Sequence, residues 1–461
     1  MTSVNAVLEH LTSHHDRILA ELVEFAAIPS VSTDPAHAAD MRAAASWVAH
    51  ALESAGPFDV RTIATPGNPV VYGEWLGAPG KLTVLVYGHY DVQPADPLEK
   101  WSSPPFTPTI REGRLYARGV SDDKGPMLIP IKVAEAFFDV AGALPINVKC
   151  MFEGEEEIGS ANLDAFIRDN ARMLAADVVL SADGAMWRID EPSLTVSSRG
   201  LVGLELTLTA ASKDLHSGRH GGGVANPLHA LAALIASLHD ASGRIAVPGF
   251  YDHVRELTPA ERAAIAALPF DESKYLAQVG APAAFGEPGY TTLERQWTRP
   301  TLEVNGMWGG YTGPGQKTVI PSEAHAKITC RLVPDQDPAE IVALVTKHLR
   351  SNTPPGTRLS ITPDEHGSRA AHIESEHFAL KAADAALFAV YGVHPLIVRM
   401  GGTVPISELF QRHMGLDTVF FSFSTADEDY HAPNEFFRIH RLYEGLEAWA
   451  RYWAILAQVR G

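Results

Sequence analysis

Five short segments of this chain carry histidines and carboxylates in arrangements that suit metal chemistry. Gly88-His89-Tyr90-Asp91 sets His89 and Asp91 two residues apart, so in extended backbone both side chains point the same way. Such a pair lets the histidine bind a metal through one ring nitrogen while the carboxylate receives the N–H of the other. Arg118-Gly119-Val120-Ser121-Asp122-Asp123-Lys124-Gly125 brings two adjacent aspartates into a glycine-flanked loop. Glycine-rich loops before helices also cradle phosphate. Adjacent aspartates repel phosphate, however, and the loop lacks the spacing of a P-loop. Phe152-Glu153-Gly154-Glu155-Glu156-Glu157, Ser181-Ala182-Asp183-Gly184 and Asp429-Tyr430-His431-Ala432-Pro433-Asn434 complete the set. Singly, each is what a solvated turn offers. Three consecutive carboxylates nevertheless crowd one another unless cations neutralise some of them. Jointly the segments offer nitrogen and oxygen donors without thiolate, which suits zinc, cobalt or manganese. If one carboxylate bridges, five side chains hold two ions about 3.5–4 Å apart. A neighbouring acid is then left free to act as general base.

The elements that must position these residues are legible from periodicity. Leu82–Tyr87 is a short apolar run that fits a buried parallel strand, and Ile146–Phe152 and Asp177–Leu180 read likewise. Helical spacing covers 8–27, 40–55, 127–138 and 162–176. Four of the five segments follow a strand, those of His89, Asp122 (after a short strand), Glu157 and Asp183, and His431 is the distal fifth, in a polar loop beyond a strand at 418–422. In an open α/β sheet the carboxyl ends of strands line the ligand crevice.

From about Ser197 the pattern changes. Leu201–Ala210 alternates like a half-exposed strand, and Asn226-Pro227 opens a helix as N-cap and first helical residue. With strands at 323–332 and 357–362 and a helix at 337–349, these elements suggest the outline of a β-α-β-β-α-β open sandwich whose halves flank 240–315. Residues 240–315 read as irregular. The expected architecture is an α/β catalytic domain, a mixed sheet with helices on both faces, at 1–196 and 367–461. An inserted α+β open-sandwich lid spans 197–366.

Length and composition agree with this. A chain of 461 residues exceeds one ordinary core. Its 46% hydrophobic and 20% charged residues are globular proportions. A formal charge of −18 argues against nucleic acid or an anionic membrane as partner. The first 24 residues mix charge with apolar positions, unlike a signal peptide, and no stretch approaches the ~20 apolar residues of a membrane span. Cys150 and Cys330 sit in apolar, strand-like runs and read as buried free thiols. The cytoplasm is the expected location.

The segments GHYDVQP (88–94), ARGVSDDKGP (117–126), FEGEEEIGS (152–160), DLHSGRHGG (214–222), CRLVP (330–334), GGTVPIS (401–407) and YHAPNE (430–435) resemble, in order and over nearly the whole chain, the two-zinc exopeptidase superfamily. That superfamily includes carnosinases, cytosolic non-specific dipeptidases, glutamate-releasing carboxypeptidases, aminoacylases and succinyl-diaminopimelate desuccinylases. The detail of the second, third and fourth segments is most similar to the dipeptidase and carnosinase branch.

The resemblance implies His89 and Asp183 on one ion, Glu157 and His431 on the other, and Asp122 bridging them. It makes Glu156 the general base and Asp91 the residue that orients His89. The extra Glu155 raises a register question, which spacing to Gly159-Ser160 resolves in favour of Glu156 and Glu157. His216 resembles a lid histidine that reaches a partner subunit's site to stabilise the oxyanion. Arg331 resembles the residue that grips the substrate α-carboxylate, with Gly402 and Ser407 near it. His366 resembles a substrate contact, although Ser368 departs from the family's His-Gly-Gly pattern there. The implied activity is hydrolysis of dipeptides or dipeptide-like amides with a free carboxylate. The cofactors are two divalent ions, zinc first with manganese or cobalt as alternatives, and the assembly is a homodimer through the lid. Alternatives are an N-acyl amino acid deacylase, a glutamate-type carboxypeptidase, or a binding module that has lost catalysis.

Overall fold

The apolar run at 82–87 forms the strand Thr83–His89 inside a six-stranded sheet. Across that sheet the order is Asp59–Ile63, Val70–Trp75, Asn147–Glu153, Thr83–His89, Val178–Ser181 and Thr418–Phe420. The last four run parallel, whereas Val70–Trp75 runs against both neighbours. The sheet is therefore mixed. In register, His89 stands beside Glu153, Tyr87 beside Ser181, and Ser181 beside Phe420, so four carboxyl ends finish at one edge. The structure is a computed structural model that describes residues 4–364 and 367–459.

Side chains alternate across each strand, and helices meet both faces. Val71, Val84, Val86, Val148 and Cys150 join one core with the helices Ala38–Ala55, Gly125–Ala141 and Ile439–Leu456. On the opposite face, Tyr72 Oη donates to Met173 O at 3.1 Å, and Lys149 Nζ donates to Met173 O and Ala175 O, behind the short helix Ala171–Leu174. Gly125–Ala141 is apolar on nearly every side, as befits a helix enclosed by others.

Two expected helices are each broken in two. Residues 8–27 form Val4–Ser13 and His15–Ala26, interrupted at His14. There the His14 ring and the Ser13 hydroxyl both take the His10 carbonyl, at 2.8 Å, in competition with the helix backbone. Residues 162–176 form Leu163–Asp169 and Ala171–Leu174, parted at Asn170, whose side chain donates to Phe166 O.

The chain divides into two units. The first comprises Met1–Val196, Ile373–Val398 and Leu409–Gly461; the second comprises Ser197–His372 and Arg399–Glu408. In the second, an antiparallel sheet runs Thr301–Gly309, Glu323–Leu332, Gly200–Thr209, Arg358–Pro363. The helices Pro227–Ala236 and Pro338–Ser351 pack Leu231, Leu234, Ile341 and Val345 on its Leu204, Leu206 and Leu208 face. Two features depart from expectation. Residues 367–372 and 399–408 fall in the second unit: Ser198 N donates to Ala371 O, Met400 N to Ser197 O and Arg199 N to Gly402 O. The stretch 240–315 is ordered, with helices Pro259–Ala266, Glu272–Val279 and Thr292–Thr298 and the strand Thr301–Gly309.

Trp449 and Trp453 are fully buried on the last helix. Trp449→Ala should cost the first unit about 3–5 kcal/mol, read as a lowered midpoint of urea unfolding; an unchanged midpoint would contradict the packing described.

Candidate metal centre

Asp122 is the hub. Its Oδ1 lies 3.0 Å from His89 Nε2 and its Oδ2 lies 2.9 Å from His431 Nε2. Glu157 Oε2 stands 3.0 Å from the same nitrogen of His431. Two groups of donor atoms result, each within 4.8 Å: His89, Asp122 and Asp183, and Asp122, Glu157 and His431. Asp122 belongs to both.

Each donor arrives by a local device. His89 ends its strand, fully buried, with Nδ1 3.1 Å from the main-chain oxygen of Asp91 and 3.4 Å from Asp91 Oδ1. The Asp91 carboxylate also accepts the N–H groups of Glu156 and Glu157, at 3.2 and 3.1 Å. One aspartate thus fixes both the histidine ring and the glutamate turn. Gly88 makes room for this, because a Cβ there would sit 2.6 Å from Asp123 Oδ2 and 2.9 Å from Met127 Cγ. Asp123 in turn accepts the His89 N–H at 3.2 Å.

The acidic run 153–157 sorts itself by partner. Glu153 accepts from Tyr87 Oη and Ser160 Oγ, and Glu155 accepts from Asn162 Nδ2. Glu157 accepts from Gln93 Nε2 at 2.8 Å and faces His431. So Glu157, rather than Glu155, reaches the donor cluster. His431 is carried by a loop in which Asp429, His431 and Asn434 all adopt left-handed backbone, with φ of 53°, 62° and 68°. Such conformations persist in non-glycine residues only where surrounding structure imposes them.

The charges are mutually frustrated. Burial pushes the Glu156 carboxyl well above its usual range, with His89 opposing and Asp183, Asp122 and Glu157 adding to the rise. Asp183 is pushed up to about 6, by burial and then by Asp122 and Glu157 against His89. Burial also acts on Asp122, but hydrogen bonds from His431 and His89 win and hold it well below the carboxylate range. His431 is raised to about 10 by its bonds to Asp122 and Glu157. Divalent cations relieve this conflict, taking the histidine nitrogens as neutral donors and neutralising the carboxylates. The donor set fits a pair of such ions.

The sequence did not single out what braces Asp122. Glu435, fully buried, accepts through Oε2 from Gly119 N and Arg118 Nη1, and through Oε1 from Ser121 N and Asp122 N. Glu428, equally buried, accepts from Ser121 Oγ at 2.6 Å and from Arg438. Both lie in or beside the motif that carries His431, but Glu435 takes mostly main-chain N–H groups of a distant loop, and Glu428 reaches that loop through the Ser121 hydroxyl.

The remaining expected residues lie in the second unit. His216 is exposed, and its Nδ1 accepts from Gly218 N at 3.0 Å, which leaves the proton on Nε2. Arg331 Nη1 donates to Thr403 Oγ1 at 2.9 Å. Gly402 O accepts from Arg199 N, and Ser407 Oγ is buried without a hydrogen-bond partner among the described residues. His366 lies outside the described residues.

A donor set that fits two cations suits metal-assisted hydrolysis, and similarity to known proteins agrees. The family model for peptidase family M20/M25/M40 matches residues 85–454, and the chain belongs to that family. It is therefore a metallopeptidase, a hydrolase. It is 31% identical to a Cys-Gly metallodipeptidase of Schizosaccharomyces pombe, over 99% of each chain. It is also 31% identical to the human Beta-Ala-His dipeptidase, over 98% of this chain and 92% of that one. A solved M20 family metallo-carboxypeptidase from Sulfolobus solfataricus shares 34% identity at a TM-score of 0.82, covering 96% of this chain and 99% of the other.

Glu435→Gln should weaken metal binding about 10–100-fold, the usual cost of losing an outer partner, measured by competition with a chelator. Wild-type affinity would show that Glu435 does not hold Asp122 in place.

Proposed function

We propose that this protein is a metallo-dipeptidase that hydrolyses the amide of dipeptides bearing a free carboxylate, with two divalent ions, zinc foremost, held by His89, Asp122, Asp183, Glu157 and His431. The observation that carries the reading is Asp122 shared between two histidines, with Glu156 beside it and not committed to either donor group. The names of the relatives, a Cys-Gly dipeptidase and a Beta-Ala-His dipeptidase, supply the substrate class. When bound, the ions would polarise the scissile carbonyl and acidify water.

The chain's own residues supply the rest. Glu156 sits where burial and neighbouring anions favour its protonated form, so its carboxylate takes a proton from the attacking water and returns it to the leaving amine. Asp91 keeps that carboxylate in register by holding the Glu156 and Glu157 N–H groups. His216, with its proton on Nε2, is a donor for the oxyanion. Arg331 is the cation for the substrate carboxylate, and the Gly402–Ser407 segment neighbours it through Thr403.

The inserted unit is proposed as the dimer interface. Thr301–Gly309 is an edge strand, and Val304, Met307 and Trp308 on it are 40–43% exposed. An edge strand bearing apolar side chains is a template for a second copy. Among the described residues no helix is long and apolar enough to cross a membrane. The buried free thiols Cys150 and Cys330 fit the cytoplasm.

Glu156→Gln should keep both metal ions and lose activity on a dipeptide by at least about 100-fold; near-wild-type turnover would remove Glu156 from the chemistry. Chelation should abolish hydrolysis and zinc should restore it, and preference for N-acyl amino acids over dipeptides would favour the deacylase alternative. Met307→Glu combined with Trp308→Glu should shift the protein from dimer to monomer in light scattering. An unaltered dimer would place the interface elsewhere.

A further inference from the structure

Within the second unit, a cleft of about 740 Å³ opens on the sheet face that its helices leave uncovered. Thr329 and Arg331 on one strand and Glu303 and Asn305 on the next line it, together with Arg199. Register explains the arrangement. Arg331 pairs directly with Leu201, so Arg199, two residues before Leu201, approaches the same face as Arg331.

Four arginines line the cleft, and two of them donate to partners within the fold. Arg299 binds the Glu287 carboxylate through Nε and Nη2, and Arg295 donates to Glu287 O and Phe285 O. Arg199 is different. Its Nε donates to Gly401 O at 2.8 Å, but Nη1 is buried and has no hydrogen-bond partner among the described residues. Burial and the neighbouring Arg331 charge lower its guanidinium to about 10, and Glu303 offsets this only in part. A buried, unsatisfied cationic donor beside a second cation is unfavourable unless an anion joins them. A carboxylate offers about four lone-pair sites, more than one guanidinium fork uses. Both arginines also hold the same loop, Arg199 through Gly401 and Gly402 and Arg331 through Thr403.

We propose that Arg199 is a second carboxylate-binding residue, which grips the C-terminal carboxylate of the peptide substrate together with Arg331; this rests on the dipeptidase reading above. The unpaired Nη1 donates to one carboxylate oxygen while Arg331 takes the other. Loss of the substrate's terminal charge leaves two cations facing each other, so the site rejects peptide amides.

The test compares zinc-loaded wild type, Arg199→Gln and Arg199→Lys on Ala-Ala and on its C-terminal amide, recording kcat and KM separately. Arg199→Gln should lower the acid-to-amide ratio of kcat/KM at least tenfold, mainly through KM for the free acid. Arg199→Lys, which keeps the charge and loses the fork, should recover part of that ratio. Melting temperature and metal content certify folding, and Arg199→Lys carries the test if Arg199→Gln does not fold. Equal losses on acid and amide, with the ratio unchanged, would reduce Arg199 to a prop for the Gly401–Thr403 loop and overturn the inference alone. Hydrolysis of neither compound by the wild type would overturn the dipeptidase reading as well.

Discussion

One carboxylate facing two histidines at once is the constraint to which the first unit is built. Asp122 has two oxygens and spends one on His89 and the other on His431, residues more than three hundred positions apart. To do so it must be held from behind. Glu435 does this, and its four accepted hydrogen bonds stiffen the loop from Arg118 to Asp122. Asp91 serves the opposite side in the same way, with its main-chain oxygen on the His89 ring and its carboxylate on the Glu156–Glu157 turn. The donors are therefore fixed by buried anions whose own hydrogen-bonding capacity is consumed largely by backbone N–H groups. Precise donors need a second layer of this kind.

The burial of so many acids in one place is costly unless something answers it. Within the acidic run the fold answers three of them with neutral donors: Glu153 with Tyr87 and Ser160, Glu155 with Asn162, and Glu157 with Gln93. Glu157 also faces His431, and Glu156 is held among the cluster's charges. The same economy of partners distinguishes the arginines of the second unit, where Arg295 and Arg299 are spent on the fold while Arg199 retains an unsatisfied donor.

Much of this was legible in the sequence because the donors follow apolar strands, and apolar strands announce themselves. His89, Glu157 and Asp183 could be placed at strand ends from periodicity alone, and so could three strands and two helices of the inserted sandwich, but its fourth strand, Thr301–Gly309, lies in the stretch that read as irregular. What escaped detection has physical reasons. Glu435 and Glu428 bind main-chain N–H groups, which carry no letter in a sequence. Asp59–Ile63 is a mostly exposed edge strand without an apolar run to mark it. The helices at 259–266 and 292–298 are short, and the glycines and prolines around them masked their starts. Both in fact open on capping boxes, Thr258 with Glu261 and Thr291 with Glu294. The expected helix at 8–27 breaks at His14, whose ring takes the His10 carbonyl from the helix ladder, and that at 162–176 breaks at Asn170, whose side chain shares the Phe166 carbonyl with its own backbone N–H.

The most direct test of the shared-carboxylate centre is anomalous diffraction from crystals of the zinc-loaded protein, recorded on both sides of the zinc absorption edge. Two peaks per chain should appear, one among His89, Asp122 and Asp183 and the other among Asp122, Glu157 and His431. A single peak, or two peaks that do not share Asp122, would contradict it.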